Sequence, residues 1–301
     1  MSLQNLINGP LGISLILTLG RILPPKLGLA LADRVASFLV KRKQLGFMRA
    51  IRANQWVVSG CKLNAEELDQ QTEETIRNTV RWLYDLYHHL HDHEKILEKV
   101  TLSPQLTNFL DSRLGGDEGT LMVAPHLSNF DLAGRASVLS GYNVLTLSYP
   151  RPHGGYQWQN KLRRDDGMNI IPMSFESMRA AKELLTKGGG VVTGLDRPLE
   201  KSNYHPKFFG FPAAVPTSYV RMALQTGSAV LVIAAIGLPE ENYHVECSDL
   251  IYMEPDEDPV KEIEKNAEKV LHEAQKFIRA YPTQWGMTYP VWPFALDEMP
   301  E

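Results

Sequence analysis

The chain holds only two cysteines in 301 residues, Cys61 and Cys247. They lie far apart and outside any metal-ligand spacing, which excludes a disulfide framework and a thiolate zinc site and leaves reduced, structural thiols. Long apolar runs are also missing. The longest near the N-terminus, Leu11 to Leu19, ends at Gly20 and Arg21 before Pro24-Pro25 and is too short to span a bilayer. It lacks the positive start and small-residue cleavage site of a signal peptide, so it is expected to belong to the mature protein. No Gly-x-Ser-x-Gly elbow occurs, which removes the commonest serine nucleophile. There is no internal repeat and no low-complexity segment.

What is present describes a folded chain with a sizeable core. Hydrophobic residues make up 44% and charged residues 22%. With a mean hydropathy of -0.22, this is the composition of a soluble or peripheral membrane protein rather than a multispanning one. The net charge of -4 hides an asymmetry. Arg21, Lys26, Arg34, Lys41, Arg42, Lys43, Arg49 and Arg52 face a single acid, Asp33, so this stretch carries +7 and the rest -11. Leu27, Leu29, Leu31, Val35, Phe38, Leu39 and Val40 run among these charges, a mixture suited to a helix lying on an anionic membrane surface. No aromatic or recognition motif accompanies the basic stretch, so nucleic acid is not an expected partner.

Up to residue 117 the pattern reads as helical throughout, with Asn64-Ala65-Glu66-Glu67 opening a long helix that runs to about His91. Beyond Gly115-Gly116, strand and helix patterns alternate. Strands are expected at Thr120 to Ala124, Asn143 to Ser148, Asn169 to Pro172, Val191 to Leu195 and Ala229 to Ala235. Helices are expected at Asn129 to Leu139, Tyr156 to Arg164, Phe175 to Lys187, Pro216 to Gln225 and Pro259 to Ala280. The expected fold class is therefore α/β, a mostly parallel central sheet flanked by helices, with an N-terminal helical, membrane-associating segment. Residues 1–117 would form that helical region and 118–301 the α/β region, in one compact unit.

The most informative stretch is Ala124-Pro125-His126-Leu127-Ser128-Asn129-Phe130-Asp131. His126 leaves a strand, and Asp131 follows five residues on in the first turn of a helix that Asn129 can cap. A strand's carboxyl end is where α/β sheets place their chemistry. A carboxylate on one imidazole nitrogen leaves the other free to take a proton from a hydroxyl, so His126 reads as a general base and Asp131 as its orienter. The histidines His88, His89, His91 and His93 are dense, but their offsets do not converge on one helix face. No metal site is expected there. Gly188-Gly189-Gly190 reads as a helix stop rather than a phosphate cradle.

This motif recurs with others in a fixed order: Arg52-Ala53-Asn54, His126 to Asp131, Asn160-Lys161-Leu162-Arg163-Arg164 before Gly167, Gly194-Leu195-Asp196-Arg197, Phe208-Phe209-Gly210, Pro216-Thr217 and Pro282-Thr283-Gln284-Trp285. The set resembles the lipid acyltransferases that carry a His-x4-Asp motif, in the branch of the lipid A late (lauroyl or myristoyl) acyltransferases and the phosphatidylinositol mannoside acyltransferases. Asp196-Arg197 stands where lipid A enzymes often have Asp-Gln or Asp-His and looks closer to the mannoside branch. Ser128-Asn129-Phe130 replaces a Gly-Asn-Trp of many relatives.

The resemblance implies an O-acyltransferase that moves a fatty acyl chain from acyl-CoA or acyl carrier protein to a hydroxyl of a membrane glycolipid, at the cytoplasmic face of the inner membrane. No resident cofactor is expected, since the thioester is already activated. Arg163 or Arg164 would meet acidic groups of lipid or donor, Arg163 being preferred for its four-residue spacing to Gly167. Asp196 and Arg197 would frame the acceptor headgroup, or Arg197 would simply neutralise Asp196 or Glu200. Glu200 is a further carboxylate near the same cleft. Thr217, near a helix start, could stabilise an oxyanion. The two phenylalanines are expected in the core. The alternatives are a glycerophospholipid acyltransferase, a lipid-ester hydrolase using the same dyad, and a catalytically silent lipid-binding protein on the same fold.

Overall fold

The computed structural model describes residues 18, 20, 22–150 and 155–301. The apolar stretch Leu11 to Leu19, apart from Thr18, and Arg21 of the basic stretch lie outside these. Chain order is α1 (Pro25–Val40), α2 (Gly46–Val58), α3 (Ala65–His88), α4 (His93–Lys99), β1 (Val100–Leu102), α5 (Pro104–Arg113), β2 (Thr120–Ala124), α6 (Phe130–Leu139), β3 (Leu145–Ser148), α7 (Gly155–Asp165), β4 (Asn169–Pro172), α8 (Phe175–Leu185) and β5 (Gly190–Gly194). Then come β6 (Lys207–Phe208), β7 (Phe211–Pro212), α9 (Ser218–Thr226), β8 (Ala229–Leu238), β9 (Asn242–Cys247), α10 (Pro259–Ala280) and α11 (Ala295–Glu298).

Local chemistry explains the long helices. The side chain of Asn64 accepts from the amides of Glu66 and Glu67, and Glu67 accepts from the Asn64 amide, a reciprocal box that starts α3. Asp258 caps α10 through the amides of Val260 and Lys261, with Pro259 at the first helical position where its missing N–H costs nothing. Along α10, Ile263, Ala267, Val270, Leu271, Ala274 and Ile278 recur every three or four residues and are buried.

The large sheet has seven strands in the order β1-β9-β8-β2-β5-β3-β4. Every neighbouring pair is parallel except β8 and β9. This is the mostly parallel sheet flanked by helices expected for the class. Side-chain alternation divides its two faces. Leu121, Val123, Val230 and Val232 pack with Ala53 and Val57 of α2 and with α8, α9 and α10 on one face. Met122, Leu231 and Ala235 pack with Leu132, Ala133 and Ala136 of α6 and with Leu106 and Leu110 of α5 on the other. A smaller core of Ala36, Met48, Ile51 and Ile76 joins the first three helices.

The expectation of helix alone before residue 118 is corrected by β1, which pairs with β9 at Val100↔Tyr243. Three residues between two helices are too short to show a period. β9 was also not foreseen. It returns beside β8 through a turn with φ of 60° at Glu240 and 53° at Glu241, and its burial alternates strictly along the strand. Cys61 and Cys247 are free thiols. Burial, then Glu246, pushes the Cys247 thiol up to about 11, so it stays protonated and unreactive near neutrality. No helix among the described residues is long and apolar enough to cross a membrane.

Candidate active site

Strand register builds the site. β2 and β5 are parallel neighbours with Ala124 opposite Gly194, so the residues two positions past each strand, His126 and Asp196, come side by side at the sheet's carboxyl edge. His126 Nδ1 lies 2.5 Å from Asp196 Oδ1. A carboxylate accepts only, so Nδ1 carries the proton and Nε2 of the neutral ring is left as the acceptor. Nε2 has no hydrogen-bond partner among the described residues. Asp196 is fully buried. Its other oxygen accepts from the His126 backbone N–H at 2.7 Å and from Trp285 Nε1 at 2.8 Å. Three donors thus fix one carboxylate against one imidazole. Gly194 leaves the ring room, since a Cβ there would stand 3.3 Å from His126 Cε1.

The expected His126–Asp131 pairing is therefore corrected. Asp131 accepts from Arg163 instead, Nε at 2.6 Å and one terminal nitrogen at 2.8 Å, in a two-pronged ion pair. The other terminal nitrogen of Arg163 donates to Asn160 Oδ1 at 2.8 Å, and Asn160 in turn donates to Ser148 Oγ at 3.0 Å. Helical geometry is the reason: Asp131 lies one residue into α6, facing α7 rather than the β5 edge. Burial alone would raise the Asp131 carboxyl, but Arg163, Arg135 and His126 outweigh it and hold it below its ordinary value. Burial disfavours the Arg163 cation, yet Asp131 outweighs it and raises its pKa. Arg135 is pulled down, mainly by burial, and pairs with Asp166.

The remaining expected residues separate clearly. Arg163 is 6% exposed with its donors engaged inside the protein, so it braces α6 against α7. Arg164 is exposed and lines neither of the two cavities at the site. Glu200 is exposed and also lines neither. Arg197 neutralises neither Asp196 nor Glu200. Its guanidinium stacks over Tyr149 at 4.2 Å and Tyr289 at 4.3 Å and donates to the Tyr289 hydroxyl at 3.0 Å. Thr217 is the residue preceding α9 and lines the second cavity. Phe208 and Phe209 are buried and pack on Trp285 and Trp292. Among the described residues no cluster could hold a metal ion. His88 instead meets the Gly20 carbonyl at 2.8 Å and stacks on Tyr84.

Two cavities meet at His126. The first, about 430 Å³, runs between the sheet and α6, with Met122, Val192 and Ile233 on one wall and Ala133, Gly134 and Val138 on the other. The second, about 340 Å³, opens on the opposite side towards α9. Both volumes fall in the range of small-molecule sites.

The loop after His126 is held from the far end of the chain. The Ser128 amide donates to the Gln284 carbonyl at 2.8 Å, and Gln284 brackets Gly237 through two side-chain bonds of 2.7 and 2.9 Å. Asn54 holds Met287 and Tyr289 carbonyls at 3.0 and 2.8 Å, fixing the segment that stacks on Arg197. Tyr149, Tyr289 and Trp285 in these roles were missed. Aromatic identity alone does not distinguish a clamp from core, whereas the matched spacing of Ala124-Pro125-His126 and Gly194-Leu195-Asp196 after two strands was a readable signal for the dyad.

Ser128 has φ of 49°, a left-handed conformation that costs a non-glycine residue about 1–2 kcal/mol. Ser128→Gly should leave stability unchanged or raise it by up to about 1 kcal/mol, because glycine's own unfolded-state entropy offsets part of the relief. A urea midpoint lowered by the substitution would contradict the assignment of strain to this position.

With this geometry in place, the chain can be classed. The description "bacterial lipid A biosynthesis acyltransferase" is that of a family whose model matches residues 9–293, and the chain belongs to that family. It is similar to phosphatidylinositol mannoside acyltransferases of Mycobacterium tuberculosis, 26% identical over 147 residues, which is 46% of each chain. One from Mycolicibacterium smegmatis is 25% identical over 150 residues, 47% of each. The match thus spans about half the length of these curated relatives.

Proposed function

We propose that the protein transfers a fatty acyl chain from a thioester donor, acyl-CoA or acyl carrier protein, to a hydroxyl of a membrane glycolipid of the lipid A or phosphatidylinositol mannoside type. The observation that carries this reading is the His126–Asp196 pair, with His126 on the wall of a mostly apolar cavity. In it, the acyl chain of the donor lies in the first cavity with its carbonyl beside His126. His126 Nε2 removes the proton from the attacking hydroxyl, and Asp196 stabilises the imidazolium that forms. The C–O bond forms as the C–S bond breaks, and the thiolate takes the proton from the imidazolium. Asp131 has a supporting role, holding Arg163 and the start of α6. The mostly apolar lining disfavours water beside the thioester.

The test is transfer of labelled palmitate from palmitoyl-CoA or palmitoyl-acyl carrier protein into a native lipid extract. Label entering one glycolipid with the wild type and not with His126→Ala supports the reading. Equal release of free fatty acid by both proteins, or no turnover with either donor, contradicts it and favours a silent lipid-binding protein.

Membrane contact through α1, at the cytoplasmic face of the inner membrane, belongs to the same reading. Leu27 and Phe38 are 61% and 50% exposed on α1, beside exposed Lys26, Arg34, Lys41 and Arg42. The one acid of the stretch, Asp33, is taken by Arg81 through two 2.7 Å bonds, which offsets its charge and leaves the stretch basic. Phe38→Asp should weaken binding to vesicles rich in anionic lipid by about tenfold or more at unchanged Tm, since it removes about 1.5–3 kcal/mol of apolar burial in the interface. Unchanged vesicle partition would remove α1 from the membrane contact.

A further inference from the structure

The second cavity differs from the first in its charge. Among the described residues no aspartate or glutamate lines it, whereas Arg197, Arg221 and His126 do. Neither arginine has a carboxylate partner among the described residues. Among the described residues Arg197 donates only to the Tyr289 hydroxyl, and Arg221 only to the Tyr204 hydroxyl at 2.7 Å. Each guanidinium offers five N–H donors, so most of each remains free, and the stacked tyrosines fix the Arg197 fork without neutralising it. Near the dyad the contrast is plain, because Arg163 and Arg135 are spent on Asp131 and Asp166.

A second observation converges on the same space. Thr217, 8% exposed, lines the cavity, and its hydroxyl makes no capping bond to α9 and meets no other hydrogen-bond partner among the described residues. In the first turn of α9 the Val220 amide is taken by the Thr217 carbonyl at 3.1 Å, and Ser218 of that turn lines the cavity too. Two arginine forks, the Thr217 hydroxyl and the start of α9 form a donor-rich lining free of carboxylates among the described residues, which suits a doubly or singly charged tetrahedral oxyanion.

We propose that this second cavity binds a phosphate ester, with Arg197 and Arg221 as its cationic ligands and Thr217 as a hydroxyl donor. The phosphate has two possible sources under the acyl-transfer reading, on which only that choice rests: the phosphopantetheine arm of the thioester donor, or the phosphodiester headgroup of the lipid acceptor. Their shared chemistry is the phosphate itself.

The experiment titrates the full chain calorimetrically with 4′-phosphopantetheine and pantetheine, and with glycerophosphoinositol and inositol, at fixed low salt. The expected result is that at least one phosphate ester binds while its phosphate-free counterpart binds at least tenfold more weakly. Binding by phosphopantetheine places the donor there; binding by glycerophosphoinositol places the acceptor there. Arg221→Gln and Arg197→Gln should each weaken the phosphate ester by about 10- to 100-fold without changing the phosphate-free probe. Arg221→Lys, which keeps a point charge but loses the fork, should fall between. Thermal melts of the same samples check that the variants are folded. Equal binding of phosphorylated and phosphate-free probes, binding by none of them, or indifference to both Arg→Gln changes in folded protein would overturn the proposal. Phosphate-selective binding without acyl transfer would sink the acyl-transfer reading and keep this site; acyl transfer with phosphate-blind binding would do the reverse.

Discussion

Asp196→Asn is expected to lower kcat by about 10²- to 10⁴-fold, close to the loss from His126→Ala, because under the proposed acyl transfer both remove the same proton-transfer pair. An amide can donate to Nδ1, which would drive the imidazole proton to Nε2 and leave no acceptor facing the substrate hydroxyl. It also removes the charge that stabilises the imidazolium as it forms. KM should change little, since Asp196 is fully buried beneath the ring rather than against either cavity. Steady-state kinetics on folded variants checks this. A KM effect with kcat preserved would place Asp196 in substrate binding, the role the family resemblance implies for it.

Asp131→Asn should act in another way. It leaves the Arg163 cation buried without its counter-ion, and breaking such a pair costs about 3–5 kcal/mol, a fall in Tm on the order of 10 °C. Arg163→Gln should cost a similar amount. The double variant should cost less than the sum of the two, because each change alone leaves the other charge unpaired. The pH dependence follows in sign. Asp131 titrates lower in the folded than in the unfolded chain, so its contribution is complete above the ordinary carboxylate value near pH 4 and is lost as pH falls through its depressed value. The stability gap between wild type and Asp131→Asn should therefore hold constant from about pH 5 to neutrality and narrow below about pH 4. Melting temperatures across that range measure it; a gap that widened on acidification would mean that the Asp131–Arg163 pair is not what the substitution breaks.

Much of the fold was legible because its signals were local. β2 and β4 match the expected bounds, as does α10, which carries its own cap, its first-turn proline and a buried stripe. β1 escaped because three residues have no period, and β9 because its alternation is read only once a turn at Glu240 and Glu241 is allowed. At the site, the histidine was read from its local context, whereas its partner needed the register of two strands. Spacing along the chain favoured Asp131, five residues on. Register across two strands delivered Asp196, seventy residues away. Sequence proximity measures what a helix turn can reach, and here α6 carries Asp131 off towards Arg163. The arginines show the same limit. Their charge was visible, but which of them is spent on a buried acid depends on packing between α6 and α7.

The most direct test of the His126–Asp196 assignment is the proton NMR signal of the imidazole Nδ1–H in the wild type, Asp196→Asn and Asp131→Asn, each shown to be folded. A 2.5 Å bond to a buried carboxylate predicts a resonance far downfield of free imidazole, lost in Asp196→Asn and kept in Asp131→Asn. A signal that survives in Asp196→Asn and vanishes in Asp131→Asn would return the orienting role to Asp131 and contradict the account.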